Sequence, residues 1–141
     1  SSLPALMVAR RNIESHQMAD RIRLVAGSDL TMFDPAHPRF DLIVANPPYI
    51  PSSAIASLQP EVRDYEPRGA LDGGEDGLAA YRRIIPEAAT RLRAGGALIL
   101  EIGSDQGPAV AQLAERSGLY RDGRCIADYS GHDRVMRMIR I

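Results

Sequence analysis

With 141 residues the chain has room for one domain, and 45 % apolar residues are enough to build its core. A net charge of −1 gives no electrostatic footprint for nucleic acid or an anionic membrane, and 5 % aromatic residues without Trp leave few base-stacking platforms. The single cysteine, Cys125, excludes an internal disulfide; it fits a reducing compartment and reads as a small buried side chain. No signal-peptide pattern or long apolar span is visible, so the expectation is a soluble, cytoplasmic protein.

Residues 2–18 read as a helix. Ser2 can cap its N-terminus and Pro4 suits the first turn. Leu6, Ala9 and Ile13 fall at spacings of three and four and form one apolar stripe. Arg10 and Arg11 lie off that stripe, on a solvated face. Residues 22–27 read as a short strand, and Ser28-Asp29-Leu30 leave its carboxyl end. By position Asp29 is as readily an Asx-turn residue as a ligand acceptor. Residues 31–39 are rich in proline, without periodicity, and read as a loop.

The stretch Asp41-Leu42-Ile43-Val44-Ala45-Asn46-Pro47-Pro48-Tyr49-Ile50 carries the chemistry. Leu42 to Ala45 are uninterrupted apolar residues, which suits a strand buried on both faces of a parallel sheet. Pro47 and Pro48 lack N–H groups and cannot continue a central ladder. The residue before a proline is pushed to extended geometry, so Asn46 and Pro47 should hold rigid backbones. An Asn side chain and the Pro47 carbonyl are thus expected at the carboxyl end of a strand, where open α/β sheets bind ligands. Both are acceptors, and together they could grip the two hydrogens of a planar NH₂ group. Tyr49 could add an aromatic wall. Asn-Pro alone is a common turn dipeptide; a strand running into Asn-Pro-Pro-Tyr is more specific.

Residues 51–77 show little regular pattern, and segments of that kind are often functional. Residues 76–92 read as a helix capped by Asp76, with Leu78, Tyr81, Ile85, Ala88 and Leu92 on one face. Pro86 should kink or split it, and Gly95-Gly96 should end it. Residues 97–103 read as a central apolar strand. Within it, Glu101 is equally a pocket residue or a paired structural carboxylate. Residues 106–117 read as a helix ended by Gly118. Residues 120–129 and 134–141 read as strands of an antiparallel hairpin turned by Ser130-Gly131-His132-Asp133. His16 is read without a second ligand at metal-binding spacing and His132 without a nearby partner, so no metal site is expected.

Asn46-Pro47-Pro48-Tyr49 resembles the signature of S-adenosylmethionine-dependent amino-methyltransferases. The run from Glu61 through Glu66-Pro67 and Asp72-Gly73-Gly74 to Gly77-Leu78 is similar to the HemK/PrmC family, which methylates the glutamine N5 of peptide release factors. The resemblance implies an α/β class I methyltransferase (Rossmann-like) sheet, matching the C-terminal part of that domain. It implies a sheet without its first two strands and with a C-terminal antiparallel hairpin, all within residues 1–141. It implies S-adenosyl-L-methionine as cofactor, held by Asp29 at the adenine amine, by Leu30 and by Asn46. The substrate amide would rest on Asn46, Pro47, Pro48 and Tyr49, with a release factor as protein partner. Roles for Glu61 and Glu66 do not follow.

The Gly-rich cofactor loop of such enzymes has no counterpart in these residues, so the 141-residue chain by itself is expected to be inactive. The strands at 22–26 and 42–45 would flank the two absent ones; they should either pair directly or expose edges that promote self-association. Two other functions compete. One is methylation of adenine N6 or guanine N2 in nucleic acid, with the base flipped onto Tyr49. The other is a non-catalytic methyltransferase-fold remnant serving as a binding or dimerisation module.

Overall fold

The computed structural model describes residues 2–37 and 40–141. The last two positions of the expected 31–39 loop, Pro38 and Arg39, lie outside the described residues. Helix α1 (Leu3–Ser15) begins where Ser2 accepts from the Ala5 N–H at 3.3 Å. None of its residues is buried, and Leu3, Met7 and Val8 are exposed.

Strand β1 (Phe40–Ala45) is followed by a 3₁₀ turn (Ser52–Ser57) and the short helices α2 (Pro60–Arg63) and α3 (Arg68–Leu71). Helix α4 (Ala79–Arg91), strand β2 (Leu92–Glu101), helix α5 (Gly107–Ser117), strand β3 (Tyr120–Ala127) and strand β4 (Asp133–Arg140) complete the chain. The sheet order is β1-β2-β4-β3: β1 runs parallel to β2, and β4 is antiparallel to both β2 and β3. The expected C-terminal hairpin is therefore present. Its turn is closed by Asp128 Oδ1, which accepts from the Ser130 and His132 N–H groups at 2.9 and 3.1 Å.

Alternation along the strands decides which face is covered. Leu98, Leu100, Met136 and Met138 are 0–2 % exposed and meet Ile85, Ala88 and Val110 from α4 and α5. Cutting one of these, Leu100, back to alanine would cost about 2–5 kcal/mol through lost burial and the cavity left behind. On the other face Leu42 and Val44 remain 50 % and 65 % exposed. The expectation that residues 42–45 are buried on both faces is thus corrected. β1 is an edge strand; Ile43 is its one buried residue, with Phe40 and Ala45 partly buried against the core.

Further expectations change. Residues 22–27 form no regular element and join no ladder, and Ile22, Leu24 and Val25 are exposed. Of the two alternatives expected for them, direct pairing with β1 is absent among the described residues, so their apolar pattern has no partner there to convert it into a strand. Asp76 lies before α4 rather than capping it. Its Oδ1 accepts from the Leu78 N–H at 3.1 Å, and its carboxylate pairs with Arg82. α4 runs unbroken through Pro86 and stops at Arg91, where buried Leu92 turns extended. Gly95 and Gly96 lie inside β2. Leu92 faces Phe40 while Ala97 faces Leu42, so the residues between them bulge, with Gly95 at φ +77°. Cys125 is exposed on the edge strand β3, not buried. By contrast α5 ends as expected, on Gly118 at φ +65°.

Candidate functional site: the end of strand β1

At the carboxyl end of β1 the chain turns out of the sheet as Asn46-Pro47-Pro48-Tyr49. Asn46 is exposed and Pro47 is buried. Among the described residues no hydrogen bond ends on the Pro47 carbonyl. The prolines cannot donate, and among the described residues backbone-to-backbone hydrogen bonding resumes at Ile50. There Ile50 N donates to Leu71 O at 3.1 Å and Gly73 N donates to Ile50 O at 2.8 Å.

The loop divides two cavities. One, of about 330 Å³, brings Asp29 and Leu30 together with Asn46, Pro47, Pro48 and the Ile84 side of α4. The other, of about 140 Å³, lies among Asn46, Tyr49, Ile50, Ala70 and Leu71. Asn46, Pro47 and Pro48 border both. Residues separated in sequence and singled out for cofactor and substrate therefore meet at one place, with Asp29 on one side and Tyr49 on the other.

The Asp29 turn is held from α4. Arg83 donates through Nε to Asp29 Oδ2 at 2.9 Å. The Leu30 N–H donates to Glu87 Oε2 at 3.2 Å, and Arg91 Nε donates to the Phe33 carbonyl at 3.2 Å. Arg83, Glu87 and Arg91 are four residues apart, so they rise on one face of the helix as a ladder of clamps. Asp29 itself sits at φ +47°, a left-handed conformation that Asp tolerates better than most residues. Its Oδ1 takes no hydrogen bond among the described residues and remains available to a donor.

Tyr49 is fixed through its phenol. Its hydroxyl donates to Glu101 Oε1 at 3.2 Å and accepts from Arg134 Nη1 at 3.4 Å. Arg134 is also paired with Asp128 at 3.6 Å. Burial, with the nearby Glu101 carboxylate, raises the Tyr49 pKa above its ordinary value, so the phenol stays protonated. Glu101, left open between two roles, is here the partner of Tyr49. Glu61 and Glu66 are exposed and line neither cavity.

The region between residues 50 and 77 is ordered by turn chemistry. Asp72 Oδ1 accepts from the Ser52 hydroxyl at 2.6 Å and the Gly74 N–H at 3.0 Å, and its Oδ2 accepts from Arg68 at 3.2 Å. Those donors lower the Asp72 pKa, the Ser52 hydroxyl most of all. Five side chains that brace the site were not singled out from sequence: Arg83, Glu87, Arg91, Gln106 and Arg134. The four-residue spacing of the first three was legible; what they grip was not.

No family model matches the chain. Curated relatives do. It is 50 % identical over 136 residues to the release factor glutamine methyltransferase of Moorella thermoacetica, covering 96 % of this chain and 47 % of that protein. It is 46 % identical over 136 residues to the protein of the same name from Gloeobacter violaceus, with the same coverage. Among solved structures, TrmN from Thermus thermophilus superposes with a TM-score of 0.62 at 20 % identity, covering 99 % of this chain and 34 % of that one. That likeness establishes the class I methyltransferase fold. The chain spans about half the length of the curated relatives it matches. By sequence the chain is similar over 96 % of its length to release factor glutamine methyltransferases, and by fold it is a class I methyltransferase sheet.

Proposed function

We propose that the full-length protein carrying this chain transfers a methyl group to the side-chain amide nitrogen of a glutamine in a peptide chain release factor, and that Asn46 and Pro47 hold that amide. The observation supporting this most directly is the position of the two acceptor oxygens, on a loop bordered by one cavity containing Asp29 and another containing Tyr49. An amide nitrogen is a poor nucleophile because its lone pair is delocalised into the carbonyl. Asn46 Oδ1 and the Pro47 carbonyl accept its two hydrogens and orient it, so that the lone pair faces the larger cavity. Tyr49 forms a flat wall beside the amide, and its protonated phenol, tied to Glu101 and Arg134, takes no part in proton transfer. The methylated nitrogen loses a proton readily, so no general base is required.

The residues of the larger cavity fit the adenosyl end of S-adenosylmethionine. Its volume is at the low end of small-ligand sites, about 300–1,000 Å³. It offers an apolar side in Ile43 and Ile84 and one unengaged carboxylate oxygen on Asp29, suited to an exocyclic amine. When bound, the cofactor supplies an electrophilic methyl group. Asp29, Leu30 and Asn46 would hold it, and Asn46 would then border both reactants.

The test is to incubate the full-length protein with methyl-labelled cofactor and a release factor, then map the label by mass spectrometry. Label on one glutamine side chain is expected. Label only on DNA or RNA, or on no glutamine, would reject the reading in favour of nucleic-acid methylation or a non-catalytic module.

A further inference from the structure

We infer that Gln106 is a positioning residue for the acceptor loop, acting through the backbone of Tyr49; this rests on the reading of Asn46 and Pro47 as the amide-holding pair. Among the described residues Gln106 is the one buried residue classed as polar or charged, at 8 % exposure. Both of its N–H groups and its oxygen are engaged. Nε2 donates to the Tyr49 carbonyl at 2.9 Å and the Gly77 carbonyl at 3.3 Å. Oε1 accepts from the Gly103 N–H at 3.0 Å; the Tyr81 hydroxyl lies 3.4 Å away but gives its proton mainly to the Glu101 carbonyl at 2.9 Å. A buried amide engaged at both ends specifies one arrangement of its neighbours, because a shift leaves a polar group unpaired.

The two prolines make that arrangement matter. Upstream, Asn46 follows the β1 ladder, whose last paired residue is Ala45, opposite Leu100. Pro47 and Pro48 have no N–H with which to anchor themselves, and their φ angles are fixed. The position of the Pro47 carbonyl is therefore set from the two ends, and Tyr49 is the downstream end. Glycines complete the seat. A Cβ on Gly77 would lie 2.4 Å from the Tyr49 carbonyl oxygen, and one on Gly73 would lie 2.8 Å from the Tyr49 Cα. The Asp72–Gly77 run thus gives the Tyr49 backbone room to lie flat, and Gln106 ties it there.

The test has two readouts. In the 141-residue chain, Gln106→Ala should speed amide hydrogen exchange at Ile50 and Gly73 at least tenfold, with Leu98 and Leu100 unchanged. In the full-length protein the same variant should lower kcat for glutamine methylation at least tenfold, with the cofactor KM within twofold, because the Asp29 turn is held independently by Arg83 and Glu87. If Gln106→Ala loosens the whole chain, Gly77→Ala is read in the same way, with Gln106 retained. Unchanged exchange at Ile50 overturns the inference whatever the activity, as does unchanged kcat in a variant whose exchange has risen. A wild-type protein that methylates no glutamine would instead reject the proposed function, and the exchange result would still report on the seat.

Discussion

Arg83 on α4 and Asp29 in the turn after residues 22–27 are joined by an ion pair of 2.9 Å across 54 positions of sequence. The pair engages one carboxylate oxygen and leaves the other without a hydrogen bond among the described residues, on a residue that lines the larger cavity. Arg83→Ala should therefore act on cofactor affinity more than on stability. Arg83 is 53 % exposed, so loss of the pair should destabilise the fold by under about 1 kcal/mol. A comparable loss in cofactor binding is a factor of about five. Equilibrium binding to the full-length protein, alongside a thermal melt, checks both values; an unchanged affinity would separate Asp29 from the cofactor.

Acid should open the 72–77 loop. Hydrogen bonding to Arg82, and then the Leu78 N–H, lower the Asp76 pKa to about 2, and Asp72 is lowered as well. A carboxylate depressed below its unfolded value of about 3.9 favours the folded state fully above that value. The contribution fades as pH falls through the folded pKa, which sets a window from about pH 4 to pH 2. Protection of the Leu78 amide, taken against its intrinsic exchange rate at each pH, should fall as the pH is lowered across that window. In Asp76→Asn that fall in protection should be absent, with β4 unaffected.

The outer face of β1 should drive association. Leu42 and Val44 are exposed on an edge strand whose free side can pair with another chain. Light scattering of the 141-residue chain should show mass rising with concentration, and Val44→Lys should suppress the rise. A monomer across the whole concentration range would contradict this.

Cofactor binding by the 141-residue chain alone should be weak. Among the described residues the larger cavity is walled by the Asp29 turn, β1 and α4, and nothing in the chain supplies the Gly-rich loop that the family resemblance implies. Calorimetry should detect no micromolar binding. A micromolar dissociation constant would mean these walls suffice.

Elements whose signals are local could be read from sequence. The α5 stop at Gly118, the C-terminal hairpin and the start of α1 at Ser2 depend on turn and cap chemistry within a few residues. Residues 22–27 and the outer face of β1 could not, because an apolar pattern states only that burial is wanted, not that a partner is there. Gly95-Gly96 shows the same limit. Taken locally it reads as a helix stop, but Leu92 is already drawn into the core, and the glycines serve a bulge against Phe40. The Asn46–Tyr49 loop was legible because proline geometry is local. Its supports, Gln106 and Arg134, were not, since each acts across more than 50 positions.

The central claim is that Asn46 holds the substrate amide. The most direct test is single-turnover methyl transfer to a release factor by the full-length protein, comparing wild type with Asn46→Ala. Asn46 is exposed, so the variant should fold normally and bind cofactor within a few-fold. Its rate should fall about 100-fold or more, the usual effect of removing one preorganised hydrogen-bonding group from a reacting centre. A rate within twofold of wild type would contradict the account.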